Sequence, residues 1–293
     1  MDHYHSTVYV WGSHAHGALG CPTTSRKVEL VPKRLASCCI NGYSHPAGPH
    51  QTLANAINAV AGNGITTVIT DKWEAFSWGK EIGIHNTSYL NGLCSACRSI
   101  RKIQLANVAE ISHGNNHSCA TTVEGHVYGW GDDSHGNIAG SSLKNKNSNY
   151  AISRKNHIFG GGAAGTRKKL VKKPRRIEIE GEDLRNINND KYLPMRQKNG
   201  CDCQTKKVVC GERHTCILHD GTLHMMGAND AGQLGIGSSR NHAGVHRVAS
   251  LNNFAFVEIS CGANHCAAIS KEDKAVFTWG CKYHACERFF SFF

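Results

Sequence analysis

The stretch that decides the fold runs from Val208 to Gly237 and reads VVCGERHTCILHDGTLHMMGANDAGQLGIG. It contains Gly-x-x-His, a short apolar run, a turn at Asp220-Gly221, a second apolar run that ends in Gly227, and then Gly-Gln-Leu-Gly. The first part of this pattern recurs from Gly262, 51 residues after Gly211. Self-similarity at a fixed spacing near 50 residues is the signature of a repeat architecture.

A Trp-Gly pair, or a close variant of it, ends such a run five times along the chain. Four of the five Trp residues stand at this position, and Met226 replaces the Trp once. Gly-x-x-His precedes three of the runs, whereas the copy at Gly62 lacks the His. Because equivalent residues recur in successive units, we interpret them as structural. They are Trp11, Gly12, Trp78, Gly79, Gly114, His117, Trp130, Gly131, Gly211, His214, Gly227, Gly262, His265, Trp279 and Gly280.

The repeated runs have the composition of β-strands. They are rich in β-branched and aromatic residues and are bounded by Gly, Asn and Asp, which is typical of strands joined by turns. A unit of about 50 residues is then a small antiparallel sheet that cannot bury both faces without neighbours. We therefore predict one all-β domain over residues 1–293, a β-propeller of stacked four-stranded antiparallel blades.

The order Gly-x-x-His, hairpin, Trp-Gly and Gly-Gln-Leu-Gly resembles the regulator-of-chromosome-condensation repeat. The resemblance implies a propeller, typically of seven blades, in which the repeated His is a structural residue. About four and a half units are recognisable, and seven would need roughly 350 residues at this period. The chain is therefore a fragment, an open or irregular arc, or a ring completed by degenerate segments. The units are residues 1–37, 57–106, 107–206, 207–255 and 256–286.

The positive charge is concentrated in one insertion, residues 141–206. The chain has 33 Lys and Arg against 22 Asp and Glu, a net charge of +11. Eleven of the basic residues lie in 144–176, which has no acid, so the rest balances at 22 against 22. Because like charges repel, we predict a long disordered basic loop. It either serves nuclear import or nucleic-acid contact, or is merely solvated. The candidate contacts are Arg167, Lys168, Lys169, Lys172, Lys173, Arg175 and Arg176.

The histidines and cysteines do not form a recognisable metal or catalytic motif. The chain has 14 Cys but only one Cys-x-x-Cys, Cys94–Cys97, whereas zinc takes four ligands and usually two such pairs. Cys119, Cys216 and Cys266 fall within repeat strands, where Cys serves as a small core residue. No local catalytic signature or phosphate loop occurs. We expect no metal ligands, no catalytic residues, no cofactor and reduced thiols.

These observations lead to three hypotheses of function. The first is a non-enzymatic protein-interaction propeller or scaffold, since propeller loops present broad binding surfaces. The second, which the resemblance implies for the founding family member, is guanine-nucleotide exchange on a small GTPase. The third is chromatin or nucleic-acid binding through residues 144–176. No apolar run approaches the roughly 20 residues of a membrane span, and the N-terminus lacks the features of a secretion signal. We therefore expect a cytoplasmic or nuclear protein without a membrane partner.

Overall fold

The computed structural model describes residues 8–13, 15–20, 28–34, 55–80, 88–89, 101–138, 170–179, 207–240 and 242–281. Within these ranges the chain consists of strands, turns and short 3-10 segments, without an α-helix. The strands are β1 (Tyr9–Ser13), β2 (Val28–Arg34), β3 (Ala56–Gly62), β4 (Ile65–Thr70), β5 (Ala75–Gly79), β6 (Ser88–Tyr89), β7 (Arg101–Lys102), β8 (Val108–His113), β9 (His117–Thr122), β10 (Val127–Asp132), β11 (Leu170–Ile177), β12 (Lys207–Cys210), β13 (His214–His219), β14 (Thr222–Gly227), β15 (His242–Arg247), β16 (Phe256–Cys261), β17 (His265–Ser270) and β18 (Val276–Gly280).

The strands form an N-terminal pair and four blades, and all their pairings are antiparallel. The pair is β1–β2, and blade 1 has the order β3-β4-β5-β7-β6. Blade 2 is β8-β9-β10-β11, blade 3 is β12-β13-β14-β15, and blade 4 is β16-β17-β18. This arrangement confirms the prediction of an all-β propeller, here with four blades. The predicted four strands per blade are present in blades 2 and 3.

The sheets stack in the order in which the chain forms them. Apolar clusters lie between the N-terminal pair and blade 1, between blades 1 and 2, between blades 2 and 3, and between blades 3 and 4. The second strand of blade 2, β9, is buried along its whole length. β9, which reads HSCATT, is buried on both faces and therefore does not alternate between a buried and an exposed side.

Tight turns with positive φ angles join the paired strands. Asp220 and Gly221 have φ values of 49° and 73° between β13 and β14. Two consecutive residues of this kind form the turn that matches the twist of a two-residue hairpin. The Gly after each repeated Trp also has a positive φ, which is 103° at Gly79 and 107° at Gly280. The structure thus explains the Gly residues of both motifs.

The basic insertion requires one correction. The sequence placed residues 141–206 in a disordered loop, but Leu170–Ile177 form β11, the outer strand of blade 2. Val127 pairs with Ile177 and Asp132 pairs with Leu170, and the register shifts between Gly129 and Gly131. The strand was missed because its Lys and Arg hide the apolar signal, although Ile177 is buried. Residues 141–169 and 180–206 lie outside the described residues.

Candidate functional site

The repeated histidines pack directly onto the repeated glycines. A Cβ atom at Gly114, Gly211 or Gly262 would overlap the imidazole three residues later, so only glycine leaves room for the ring. His117 and His214 are fully buried, whereas His265 in blade 4 is exposed. The backbone N–H of Gly211 donates to the carbonyl of His214 at 2.8 Å. The Gly-x-x-His motif is therefore a packing contact within one blade. The rings of His117 and His214 also contact side chains of the next blade.

Two of the repeated tryptophans join a blade to the loop of the preceding unit. The indole N–H of Trp78 donates to the Ala18 carbonyl at 2.8 Å, and that of Trp279 donates to the Gln233 carbonyl at 3.0 Å. These carbonyls belong to Gly17–Gly20 and Gly232–Gly235, the third element of the repeat. A Cβ at Gly235 would lie 2.9 Å from the Trp279 ring. The two motifs thus form one contact between consecutive units.

The junction between blades 2 and 3 contains a cluster of polar side chains that spacing along the chain did not reveal. His117 Nε2 lies 3.0 Å from the Thr215 hydroxyl, which donates to the Asn137 carbonyl at 2.8 Å. The Cys119 and Cys210 thiols and His117 Nε2 lie within 4.8 Å of one another, and all three residues are buried. β9 supplies two of these groups and β12 supplies the third.

The junction between blades 3 and 4 contains the equivalent cluster with one more thiol. His214 Nε2 lies 3.1 Å from Cys266 Sγ, which lies 3.4 Å from Cys261 Sγ. These three ligand-type atoms lie within 4.8 Å of one another. The Cys216 thiol interacts with that of Cys261 but lies outside this group of three mutually close atoms. His214, Cys216 and Cys266 are buried, and Cys261 is half-buried.

The thiols in both clusters have strongly perturbed pKa values. Hydrogen bonds from Cys216 and then from Cys266 lower the pKa of Cys261. The same bond to Cys261, followed by burial, raises the pKa of Cys216 and of Cys266. Between blades 2 and 3, burial of Cys210 opposes ionisation, but hydrogen bonding from Cys119 and the proximity of His117 lower its pKa. In each cluster the pKa of one thiol is thus lowered and that of the thiols bonded to it is raised.

The basic residues that the structure describes lie on the outer strand of blade 2. Lys172, Lys173 and Arg175 are exposed, and Arg176 is partly buried. The register shift places Lys172, Lys173 and Pro174 opposite the single residue Trp130, as in a bulge. Proline and lysine are typical of strands at a sheet edge. The structure thus brings four of the seven predicted contacts onto one strand, and Arg167, Lys168 and Lys169 lie outside the described residues.

The N-terminal pair and blade 4 expose apolar side chains that equivalent positions of the inner blades bury. Trp11 is 61% exposed and Val276 is 65% exposed, whereas Trp130 and Val127 are buried. Leu30 on β2 is 83% exposed. Among the described residues, no helix is long and apolar enough to cross a membrane.

Comparison with known proteins identifies the repeats. Residues 108–137 and 220–269 match family models described as the regulator of chromosome condensation (RCC1) repeat. These two segments correspond to parts of blades 2 and 3 and the start of blade 4. The resemblance drawn from the sequence is therefore confirmed.

Similar full-length proteins are longer than this chain. The chain is 25% identical over 210 residues to the human probable E3 ubiquitin-protein ligase HERC3, covering 63% of this chain and 18% of that protein. It is 26% identical over 227 residues to the Arabidopsis thaliana ultraviolet-B receptor UVR8, covering 71% and 49%. The crystal structure of Prp20p from Saccharomyces cerevisiae, which was studied for its binding to Gsp1p and histones, superposes with a TM-score of 0.57 at 20% identity, covering 94% of this chain and 54% of that one. The chain thus spans about half or less of these relatives.

Proposed function

The chain carries regulator of chromosome condensation repeats folded as propeller blades, and from this premise we propose that it is a non-enzymatic propeller that binds other proteins. The observation that supports this proposal is the exposure of Trp11, Leu30 and Val276 on the outermost sheets. Trp11 and Leu30 lie on paired strands, Val276 lies on a separate sheet, and exposed apolar patches are characteristic of surfaces that contact other proteins. The buried polar groups of the inner blades, by contrast, are engaged in contacts between blades.

Affinity capture with quantitative mass spectrometry tests this proposal. One variant carries Trp11→Ser and Leu30→Ser, and a second carries Val276→Ser. Val123→Ser is the matched control, because Val123 is an exposed valine in the hairpin between β9 and β10. We expect a partner that copurifies with the unmodified chain to be lost from one of the first two variants and retained by the control. An unchanged set of partners in all three variants would contradict a role for these surfaces.

Guanine-nucleotide exchange on a small GTPase is a second candidate. It is supported by the family resemblance and by the similarity of the fold to Prp20p, which binds Gsp1p. The test is the rate at which a fluorescent guanine nucleotide leaves each member of a panel of small GTPases. Faster release in the presence of the chain supports exchange activity, and no acceleration across the panel eliminates it.

Binding of chromatin or nucleic acid by the outer strand of blade 2 is a third candidate. The exposed Lys172, Lys173 and Arg175 support it, because clustered cations attract phosphates without reading base sequence. A nuclear location would accompany this role, and a cytoplasmic or nuclear location fits the first proposal. Substitutions test it better than deletion of residues 144–176, which would remove most of β11 and its pairing with β10.

The test compares two triple variants in duplex DNA binding at several salt concentrations. One variant changes Lys172, Lys173 and Arg175 to Glu. The control changes three exposed cations elsewhere, Lys72, Arg240 and Lys274, to Glu. We expect only the first variant to lose affinity. The slope of the logarithm of its binding constant against the logarithm of salt concentration should become shallower by about 0.9 for each phosphate contact removed. Equal losses in both variants, or no loss in either, would exclude this strand as the binding site.

A further inference from the structure

The four blades place different side chains at the same four positions of each junction. The first position is the first residue of a blade's second strand, which is Ile65, His117 or His214. The second position lies two residues later on the same strand. The other two positions come from the next blade: the last residue of its first strand, and the second residue of its second strand. The sets are Ile65, Thr67, His113 and Ser118; His117, Cys119, Cys210 and Thr215; and His214, Cys216, Cys261 and Cys266.

Side chains at these positions contact one another across each junction, although the bonded pairs differ. Between blades 1 and 2, His113 bonds to the hydroxyls of Thr67 at 2.9 Å and Ser118 at 2.8 Å. Between blades 2 and 3, Thr215 occupies the position of Ser118. Between blades 3 and 4, that position is a third cysteine, Cys266. Only this last junction carries four side chains of the types that bind zinc.

We propose that His214, Cys216, Cys261 and Cys266 bind a structural Zn²⁺ ion that joins blades 3 and 4. One histidine and three thiolates are an established ligand set for structural zinc, which takes four ligands in a tetrahedron. Tetrahedral bonds of about 2.0–2.3 Å place the ligand atoms about 3.3–3.8 Å apart. The observed separations of 3.1 Å between His214 Nε2 and Cys266 Sγ, and 3.4 Å between Cys266 Sγ and Cys261 Sγ, are close to this spacing. Cys216, which is outside this group of three, would complete the tetrahedron by moving its thiol towards the ion.

The surroundings fit a closed structural site rather than an open catalytic one. The cluster lies in the apolar core that includes Leu234, Ile259 and Ala268. His214 and two of its cysteines are buried, so they leave no position open to water. His214 lies against Gly211, which fixes the ring in place, and its Nδ1 has no partner among the described residues.

Zinc also resolves the unfavourable electrostatics of three adjacent thiols. Without a cation, three adjacent thiolates would repel one another in a largely buried environment. A divalent cation reverses this situation, because each thiolate then faces a positive charge. The thiol protons leave to solvent as the three Zn–S bonds form, and neutral His214 donates its Nε2 lone pair. The centre then carries one net negative charge.

The sequence argued against zinc because its ligands do not form a local motif. Cys216 and Cys261 lie 45 residues apart, on different blades, and are brought together only when the blades stack. The informative signal is instead an alignment of the repeats. It shows that positions occupied by Thr, Ser or Ala in one blade are occupied by Cys in another. A disulfide between Cys261 and Cys266, which face each other across β16 and β17, is the alternative that the experiment must distinguish.

The experiment measures zinc per chain by mass spectrometry in full-length protein purified under reducing conditions. Cys266→Thr and Cys261→Ala each remove one ligand and introduce the residue found at the equivalent position of another blade, Thr215 or Ala61. Cys210→Ala is the matched control at the neighbouring junction. We expect the two ligand variants to contain one zinc equivalent less than the unmodified chain, and the control to retain it. X-ray absorption at the zinc edge should show a shell of sulfur at about 2.3 Å and nitrogen at about 2.0 Å.

Two results would overturn the proposal. One is an equal zinc content in the unmodified chain and both ligand variants. The other is a Cys261–Cys266 disulfide, detected by peptide mapping, in protein prepared under reducing conditions. If either variant fails to fold, zinc-edge absorption on the unmodified chain still decides, because a zinc shell without sulfur excludes this site.

Discussion

The imidazole of His214 occupies the space that a side chain at Gly211 would need. The same relationship joins His117 to Gly114, so the spacing of the Gly-x-x-His motif is set by one close contact. At the equivalent place in blade 1, Ile65 replaces the His, and a Cβ at Gly62 would meet only ordinary contacts at 3.4 Å. The motif glycine is therefore sterically required in blades 2 and 3, whereas the same position in blade 1 has room for a Cβ atom.

Gly211→Ala should destabilise the chain much more than Gly62→Ala. The added methyl at 211 overlaps a buried ring that cannot move without breaking its contacts with blade 4, and overpacking of this kind costs about 1–3 kcal/mol. Gly62→Ala introduces no such overlap. Urea unfolding followed by tryptophan fluorescence measures the difference. Equal effects of the two substitutions would show that the contact with His214 does not explain the motif.

Trp78→Phe should weaken the contact between the N-terminal pair and blade 1. The variant removes the indole N–H that donates to the Ala18 carbonyl and leaves part of a buried pocket unfilled, at a cost of about 1–3 kcal/mol. Trp11→Phe is the control, because the exposed Trp11 ring should change stability by less than about 0.5 kcal/mol. Thermal unfolding of both variants tests this. A Trp11 variant as unstable as the Trp78 variant would be inconsistent with the exposure of Trp11.

Acid should destabilise the junction between blades 1 and 2 through His113. Burial, followed by the proximity of His117, lowers the pKa of His113 to about 4, compared with about 6.5 in an unfolded chain. Between these values only the unfolded state binds the proton, so the free energy of unfolding decreases as the pH falls from about 6.5 to 4. Stability measured at several pH values should decline less steeply in His113→Gln, whose amide can still bond to Thr67 and Ser118. Parallel curves for the two proteins would exclude His113 as the cause.

Thr215→Cys should create a second four-ligand site between blades 2 and 3. Thr215 already lies 3.0 Å from His117 Nε2 and 3.9 Å from Cys119 Sγ, and Cys210 completes the cluster. The variant should therefore contain one more zinc equivalent than the unmodified chain. Thr215→Ser, which retains the hydroxyl, should not. No additional zinc in the Cys variant would mean that ligand type alone does not determine where the metal binds.

Much of the fold could be predicted from the sequence because the turns and close contacts of each repeat are made by residues that lie near one another in the sequence. Gly211 and His214 must be three residues apart for the ring to reach the glycine, and Asp220-Gly221 adopts the φ angles of a hairpin turn. Such constraints act within one unit of about 50 residues, so they recur as a visible pattern.

The features that the sequence did not predict depend on contacts between units. β11 was assigned to the basic loop because most of its lysines and arginines are exposed, and its pairing with β10 identifies it as a strand. The thiol clusters were missed because their members come from two blades and have no fixed local spacing. Trp11 was grouped with the other repeated tryptophans, yet it is exposed, because burial depends on a neighbouring sheet and not on the residue itself.

The side chains at the three junctions change along the chain, from hydroxyl groups between blades 1 and 2 to thiols between blades 3 and 4. The junction between blades 1 and 2 is held by hydroxyl groups and a histidine, and no thiol takes part in these bonds. The later junctions contain thiols, and Cys261 is the most accessible of the last cluster and the one with the lowered pKa. Because the thiolate is the reactive form of cysteine, Cys261 should be the first residue of this cluster to be oxidised in metal-free protein. The junctions on either side of blade 3 thus contain redox-sensitive groups, whereas the hydrogen bonds of His113 between blades 1 and 2 involve no thiol.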